Sequence, residues 1–363
     1  MDKKSLAFLK KLCETPSPAG FETRAVEAFL EYLEPYADET TTDSYGSGIA
    51  VLNPKGKPRV YLAGHADEIG FIINHIDDNG FASFTQLGGW DLAVVAGRRV
   101  GIYTQDGRVV PGVIGSTAVH LKDADERKKL LDMHKLAIDI GARNAEEAKK
   151  HIAVGDVAVM DYPFIELMND RIVSKALDNK IGLWCAAEVL RTFAESKKKF
   201  DCCIVAGANV MEEIGGHGAN MLAHSQHPDC AVVYDVTHST DTPGLEKAKV
   251  GDIRIGEGPV ISMGSANNLA MVRRFIAAAD KLKMKFQTEI NAARTGTDAD
   301  SVFRVHGGIP TIVISPPQRY MHTPVEMIAK KDLDDIVALT VQFCRDLKPG
   351  EKITPTPWPK KRK

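Results

Sequence analysis

Apolar runs of strand length alternate with helical segments through the first and last parts of this chain. That alternation restricts its fold more than any other feature. The runs "GIAVLN", "RVYLAGH", "FDCCIVAGANV", "CAVVYDV", "FQTEIN" and "PTIVISP" are separated by helical segments such as "GLWCAAEVLRTFAE" and "NNLAMVRRFIAAADKLK". Strands of this kind joined by helices predict a mostly parallel sheet covered by helices on both faces, an α/β architecture. At the N-terminus, Leu6, Phe8, Leu9 and Leu12 are interleaved with lysines, which predicts an amphipathic helix rather than a signal segment.

Between residues 71 and 165 the texture changes to short strands such as "GFIINHIDDNGFASF" and "RRVGIYTQDGRVVPGVIGS", punctuated by "DDNG" and "QDG" turns. These are hairpin signals and predict a small β-barrel-like unit with a surface helix in "NAEEAKKHI". The expected organisation is a catalytic α/β domain from residues 1–70 plus 166–363, interrupted by a β-rich insertion at 71–165.

Composition removes several classes of function. A net charge of -2, with 26% charged and 44% hydrophobic residues, describes an ordinary globular protein with no bulk charge for nucleic acid or a membrane surface. The longest apolar runs are too short to span a bilayer. The six cysteines are scattered without a CxxC pair, which fits reduced packing thiols in a soluble cytoplasmic protein. The tail "TPTPWPKKRK" reads as a frayed, solvated end.

Ligands of such sheets bind beyond the carboxyl ends of the strands, and ionisable residues recur there in this chain. His65 and Asp67 leave the same face of "VYLAGHADEIG", so one is able to bind a cation while the other orients it; taken alone they also fit a surface pair. Asp178 precedes a helix expected to start near Gly182 and alone fits an N-cap. Glu212 and Glu213 follow an apolar strand and precede "GGHG", where two adjacent carboxylates repel unless a cation holds one of them. Asp235 ends a buried strand and His322 sits in a proline-bounded loop. Imidazoles and carboxylates in such a set suit zinc, cobalt and similar divalent ions.

The ordered motifs "GHADEIGF", "ALDNKIG", "MEEIGGHGA", "YDVTHSTDTPG", "TGTDADS" and "RYMHTPVE" resemble the M42 family of metallo-aminopeptidases, whose subunits assemble into large tetrahedral particles. The resemblance covers nearly the whole chain and includes "IDIGARNAEEAKKHIAVGD" in the insertion, which is similar to that family's dimerisation domain. It implies two divalent cations, zinc or cobalt, with His65 and Asp235 on one, Glu213 and His322 on the other, and Asp178 on both. It further implies Glu212 as general base, Asp67 behind His65, peptide substrates and a dodecameric homo-oligomer. Adjacent residues reach one centre only if the strand breaks, which Gly215, Gly216 and Gly218 permit.

Where the family commonly has a second acid and an arginine after "AL", this chain has Asn179 and Lys180. His217 and His238 are extra imidazoles expected at the rim, and residues 296–299 are expected in the pocket. Two alternatives stand beside the aminopeptidase: an endoglucanase-type or other hydrolase of the same family, and a non-catalytic assembly module. A module that had shed its chemistry is expected to have lost ligands, and none is missing here.

Overall fold

Helix α1 (Lys3–Glu14) buries Phe8, Leu9 and Leu12 on one face and leaves its lysines exposed, as the amphipathic pattern predicts. It starts at Asp2, whose carboxylate accepts the Ser5 N–H at 2.8 Å. The computed structural model describes residues 1–129 and 131–356; residues 357–363, which carry the basic end of the tail, lie outside the described residues. Helix α2 (Thr23–Leu33) leads into β1 (Glu39–Thr42), β2 (Gly48–Leu52) and β3 (Arg59–His65).

The chain then leaves the sheet for β4 (Gly70–Ile76), β5 (Ala82–Leu87), β6 (Arg98–Tyr103), β7 (Val109–Ile114), β8 (Ile138–Asp139) and β9 (Val157–Met160). These close into a barrel in the order β4-β5-β8-β7-β6-β9. Its first hairpin turns at Asp77–Gly80 and its second at Thr104–Gly107, with Gly80 and Gly107 at φ +91° and +87°. Phe71, Ile73, Phe84, Val100, Ile102 and Ile138 fill a core of its own. The helix in "NAEEAKKHI" is a single turn, α3 (Ala145–Ala148), capped by the Asn144 side chain.

On returning, the chain forms β10 (Ile165–Leu167), β11 (Arg171–Ser174), α4 (Leu177–Ala194), β12 (Cys203–Asn209), α5 (His217–Gln226), β13 (Cys230–Tyr234) and β14 (Thr237–His238). It continues through α6 (Lys247–Val250), β15 (Val260–Met263), α7 (Leu269–Leu282), β16 (Gln287–Ile290), α8 (Ala299–Val302), β17 (Thr311–Ser315), β18 (Pro317–Gln318), β19 (Glu326–Ala329) and α9 (Lys330–Asp346). Eight strands make the central sheet, in the order β1-β2-β12-β3-β13-β17-β15-β16. Its middle is parallel, through β12–β3, β3–β13 and β13–β17.

Strand periodicity sends alternate residues to opposite faces, and both faces are covered. Val60 and Leu62 of β3 join the larger core beneath α1, α2, α4, α7 and α9, whereas Tyr61 and Ala63 join a second core beneath α5 and α8. Burial on both sides is why these strands read as continuous apolar runs.

Candidate metal centre

Parallel strands of matched length end together, so the residues that follow them converge. Asn209, the last residue of β12, lies in register with His65, the last of β3. Asp235 directly follows β13, and Glu212 and Glu213 come shortly after β12. Gly64 packs against α4 so closely that a Cβ there would lie 2.3 Å from the Gly182 carbonyl carbon. That approach sets the start of α4, and with it Asp178, against His65.

The chain turns sharply after β12. Met211 adopts φ +58°, Gly215 +141° and Gly216 +67°, and the N–H groups of Gly215 and Gly216 both donate to the Glu212 carbonyl. Gly218 serves differently from its neighbours: its φ is ordinary, but a Cβ there would lie 2.4 Å from the Val210 nitrogen. The expected break of the strand is therefore made by two left-handed glycines and one close approach.

Asp178 lies between the two histidines. Its Oδ1 is 3.3 Å from His65 Nε2 and its Oδ2 is 3.4 Å from His322 Nε2. Glu213 Oε1 is 3.5 Å from His322 Nε2, and Glu212 Oε2 is 3.8 Å from His65 Nε2. His65, Asp178 and Asp235 form one group whose ligand atoms all lie within 4.8 Å of one another, and Asp178, Glu213 and His322 form a second. Every residue singled out from the sequence as a cation ligand is thus in one of two adjoining clusters, lining a cavity of about 240 Å³.

A surrounding layer of hydrogen bonds orients these groups. His65 Nδ1 donates to the Asp67 backbone carbonyl at 3.2 Å, with Asp67 Oδ1 equally near, and His322 Nδ1 donates to the Gly89 carbonyl at 2.7 Å, so in both rings it is Nε2 that faces the site carboxylates. Gly89 follows barrel strand β5, so the β-rich insertion itself reaches a site imidazole. Glu326 is a residue that sequence reasoning missed. Its two oxygens accept the Asp178 N–H at 3.0 Å and the His322 N–H at 2.9 Å. A glutamate opening the short apolar strand β19 was the available signal.

The regular part of α4 starts at Lys180, close to the position expected, but its cap is not Asp178. Although α4 spans Leu177–Ala194, Asp178 and Asn179 have non-helical dihedrals and a cis peptide bond between them, so its first residue is separated from the regular helix by a kink. Asp178 is not the cap, because its carboxylate faces the histidines; Asn179 Oδ1 accepts the Gly182 N–H at 2.9 Å instead. Lys180, fully buried, donates to Ser17 Oγ and the Ala66 carbonyl, which fixes the chain just after His65. His238 lines the site cavity, while His217 lines a neighbouring one of about 620 Å³ with Tyr45 and Arg304. Gly296 and Thr297 line the site, whereas Asp298 and Ala299 are buried behind it.

Charge crowding dominates the electrostatics. Burial, reinforced by neighbouring carboxylates, pushes the Glu212, Glu213 and Asp235 carboxyls above their usual range. Burial pushes Asp178 the same way, but hydrogen bonds from His322 and His65 outweigh it and hold that carboxyl well below the usual range. Burial opposes the charging of His322, yet Asp178 and Glu213 raise it to about 11. Carboxylates this close, with imidazole nitrogens interleaved, are the donor set that divalent cations compensate, and the residues present fit two of them.

Together, an α/β sheet of this kind and strand ends carrying these clusters define a metal-dependent hydrolase. The model of the family described as M42 glutamyl aminopeptidase matches residues 46–339. The lysyl aminopeptidase of Pyrococcus furiosus is 30% identical over 94% of this chain and 97% of its own length. Among solved structures, a TET aminopeptidase from a marine-sediment Thaumarchaeota archaeon is 33% identical with a TM-score of 0.90, covering 95% of this chain and 96% of that one. The TET1 peptidase of Pyrococcus horikoshii, which can assemble into a tetrahedron or a large octahedral shell, is 28% identical with a TM-score of 0.84 over 94% of this chain and all of that one. A Thermotoga maritima structure described as an endoglucanase is 25% identical with a TM-score of 0.73 over 93% of this chain and 96% of that one. The chain belongs to the M42 peptidase family and is a metal-dependent aminopeptidase.

Proposed function

We propose that this chain removes N-terminal residues from peptides using two divalent cations, zinc or cobalt, that share Asp178. His65 and Asp235 complete one position, and Glu213 and His322 the other. The observation that carries this reading is the placement of Asp178, each of whose oxygens faces a different imidazole. Bound there, such cations polarise a scissile carbonyl and lower the pKa of the attacking water. Glu212 takes the water's proton on its carboxylate and returns it to the leaving amine nitrogen as the C–N bond breaks. Asp67 acts behind His65, fixing its tautomer through Nδ1.

The β-rich insertion, residues 71–165, is proposed to serve self-association into a dodecamer. Exposed apolar side chains on and beside the barrel, Val109, Val113, Val119 and Leu121, support that role. A closed particle of twelve 39.6 kDa subunits is expected in solution, and a monomeric mass would argue against it. All six cysteines are buried, unpaired thiols, which suits the cytoplasm; among the described residues no helix is long and apolar enough to cross a membrane.

An endoglucanase activity has in its favour a similar structure described as an endoglucanase, but glycosidases generally use two carboxylates without metal, and here the carboxylates are interleaved with imidazoles. The test is an assay of chromogenic aminoacyl amides beside cello-oligomers and N-blocked peptides, with chelator and Glu212→Gln controls. Hydrolysis confined to unblocked amides, and lost in both controls, supports the reading. Activity on sugars alone discards it.

A further inference from the structure

Apart from the cation ligands and Glu212, two ionisable side chains line the site cavity among the described residues, His238 and Glu289. No lysine or arginine does. Glu289 lies on β16 in register with Ser262 of β15. Ser262, fully buried, donates to Glu289 Oε2 at 3.0 Å, which holds the carboxylate against the cavity wall and leaves Oε1 without a protein donor among the described residues. Glu289 belongs to neither candidate cation group, His65–Asp178–Asp235 or Asp178–Glu213–His322, among the described residues. Arg294, in the loop after β16, is exposed and does not line the cavity.

From this geometry we propose that Glu289 is the counter-ion for a cationic side chain on the substrate's first residue, so that the site favours peptides beginning with lysine or arginine. This deepens the aminopeptidase reading and rests on it. A carboxylate half-buried in a cavity loses hydration that its single hydroxyl partner replaces only in part, and a positively charged side chain supplies the missing donors. The α-amino group of any substrate lies next to the scissile carbonyl and stays with the cation clusters, whereas a lysine or arginine side chain reaches beyond them. An N-terminal glutamate or aspartate meets like charge with no compensating cation.

The test compares kcat/KM of metal-loaded enzyme on the p-nitroanilides of lysine, arginine, leucine and glutamate at pH 8, for wild type, Glu289→Gln and Glu289→Lys. Each result is taken as a ratio within one preparation, which cancels any loss of folded protein. Calorimetric binding of free L-lysine, L-leucine and L-glutamate is measured in parallel. Wild type is expected to prefer lysine over glutamate, and Glu289→Gln to lower the lysine-to-leucine ratio by about 10- to 100-fold. Glu289→Lys is expected to shift preference toward glutamate. An unchanged ratio in Glu289→Gln, a uniform loss on all substrates, or a wild type that favours glutamate overturns the proposal. Selective lysine binding, lost in Glu289→Gln, without amide hydrolysis would remove the aminopeptidase mechanism and leave the cation site standing. Hydrolysis indifferent to charge would do the reverse.

Discussion

The backbone N–H of Glu212 donates to Asp67 Oδ1 at 3.0 Å, and Asp67 Oδ2 accepts the N–H of Glu213 at the same distance. The same carboxylate faces His65 Nδ1, so one buried side chain ties the end of β3 to the loop after β12. Asparagine at this position has a single acceptor oxygen and turns an amide N–H toward a backbone donor. Asp67→Asn is therefore expected to weaken cation binding about 10- to 100-fold, with a matching loss of turnover. Chelator competition measures it, and unchanged affinity would remove Asp67 from its orienting role.

Glu212 and Asp178 are expected to fail differently. Glu212→Gln keeps the cations and loses turnover by about 10²- to 10⁴-fold, because only the proton acceptor is gone. Asp178→Asn loses turnover and cation content together, since both positions share that carboxylate. Metal analysis of the two purified variants separates them; full cation content in Asp178→Asn would contradict the shared ligand.

Gly64 has no room for a side chain. A Cβ there falls 2.3 Å from the Gly182 backbone, which cannot swing aside as a flexible side chain does. Gly64→Ala is expected to destabilise the protein by about 3 kcal/mol and to separate His65 from Asp178, lowering cation affinity as well as melting temperature. A variant that melts and binds like wild type would show that β3 and α4 are less tightly opposed.

Much of this centre was legible in the sequence. His65, Glu212, Glu213 and Asp235 stood out as ionisable residues at the ends of apolar runs, where burial without a role is costly, whereas Asp178, before a helix, and His322, in a proline-bounded loop, were picked out by the family resemblance. The strands of the insertion were legible from their shortness and the "DDNG" and "QDG" turns between them. Glu326 was missed although it opens a short apolar strand, because one of the N–H groups it accepts, that of Asp178, comes from a distant segment and leaves no spacing to read. Gly89 was hidden for the same reason: its carbonyl reaches His322 across the fold. The start of α4 was legible but its cap was not, because Asp and Asn are both good caps, and the two histidines facing Asp178 leave the capping to Asn179.

Glu22 offers a test of burial away from the cations. Its Oε1 accepts the N–H groups of Gly20 and Met211, and burial, with Asp67 nearby, raises its carboxyl to about 7. A folded-state pKa above the unfolded value means that the proton is held more tightly in the native protein. The resulting stability is present in full below pH 4.5 and is lost as pH rises through 7. Glutamine keeps the accepting oxygen and never ionises, so Glu22→Gln is expected to stabilise metal-stripped protein by up to about 3 kcal/mol at pH 8 and by much less at pH 5. Melting temperatures at the two pH values measure it, and an equal gap at both would contradict the raised pKa.

Anomalous scattering from crystals of the metal-loaded protein, together with metal content per subunit, tests the shared-ligand centre most directly. Two cations per subunit, one beside His65 and Asp235, one beside Glu213 and His322, and Asp178 bound to both, is the expected result. A single cation, or two that Asp178 does not touch, would contradict it.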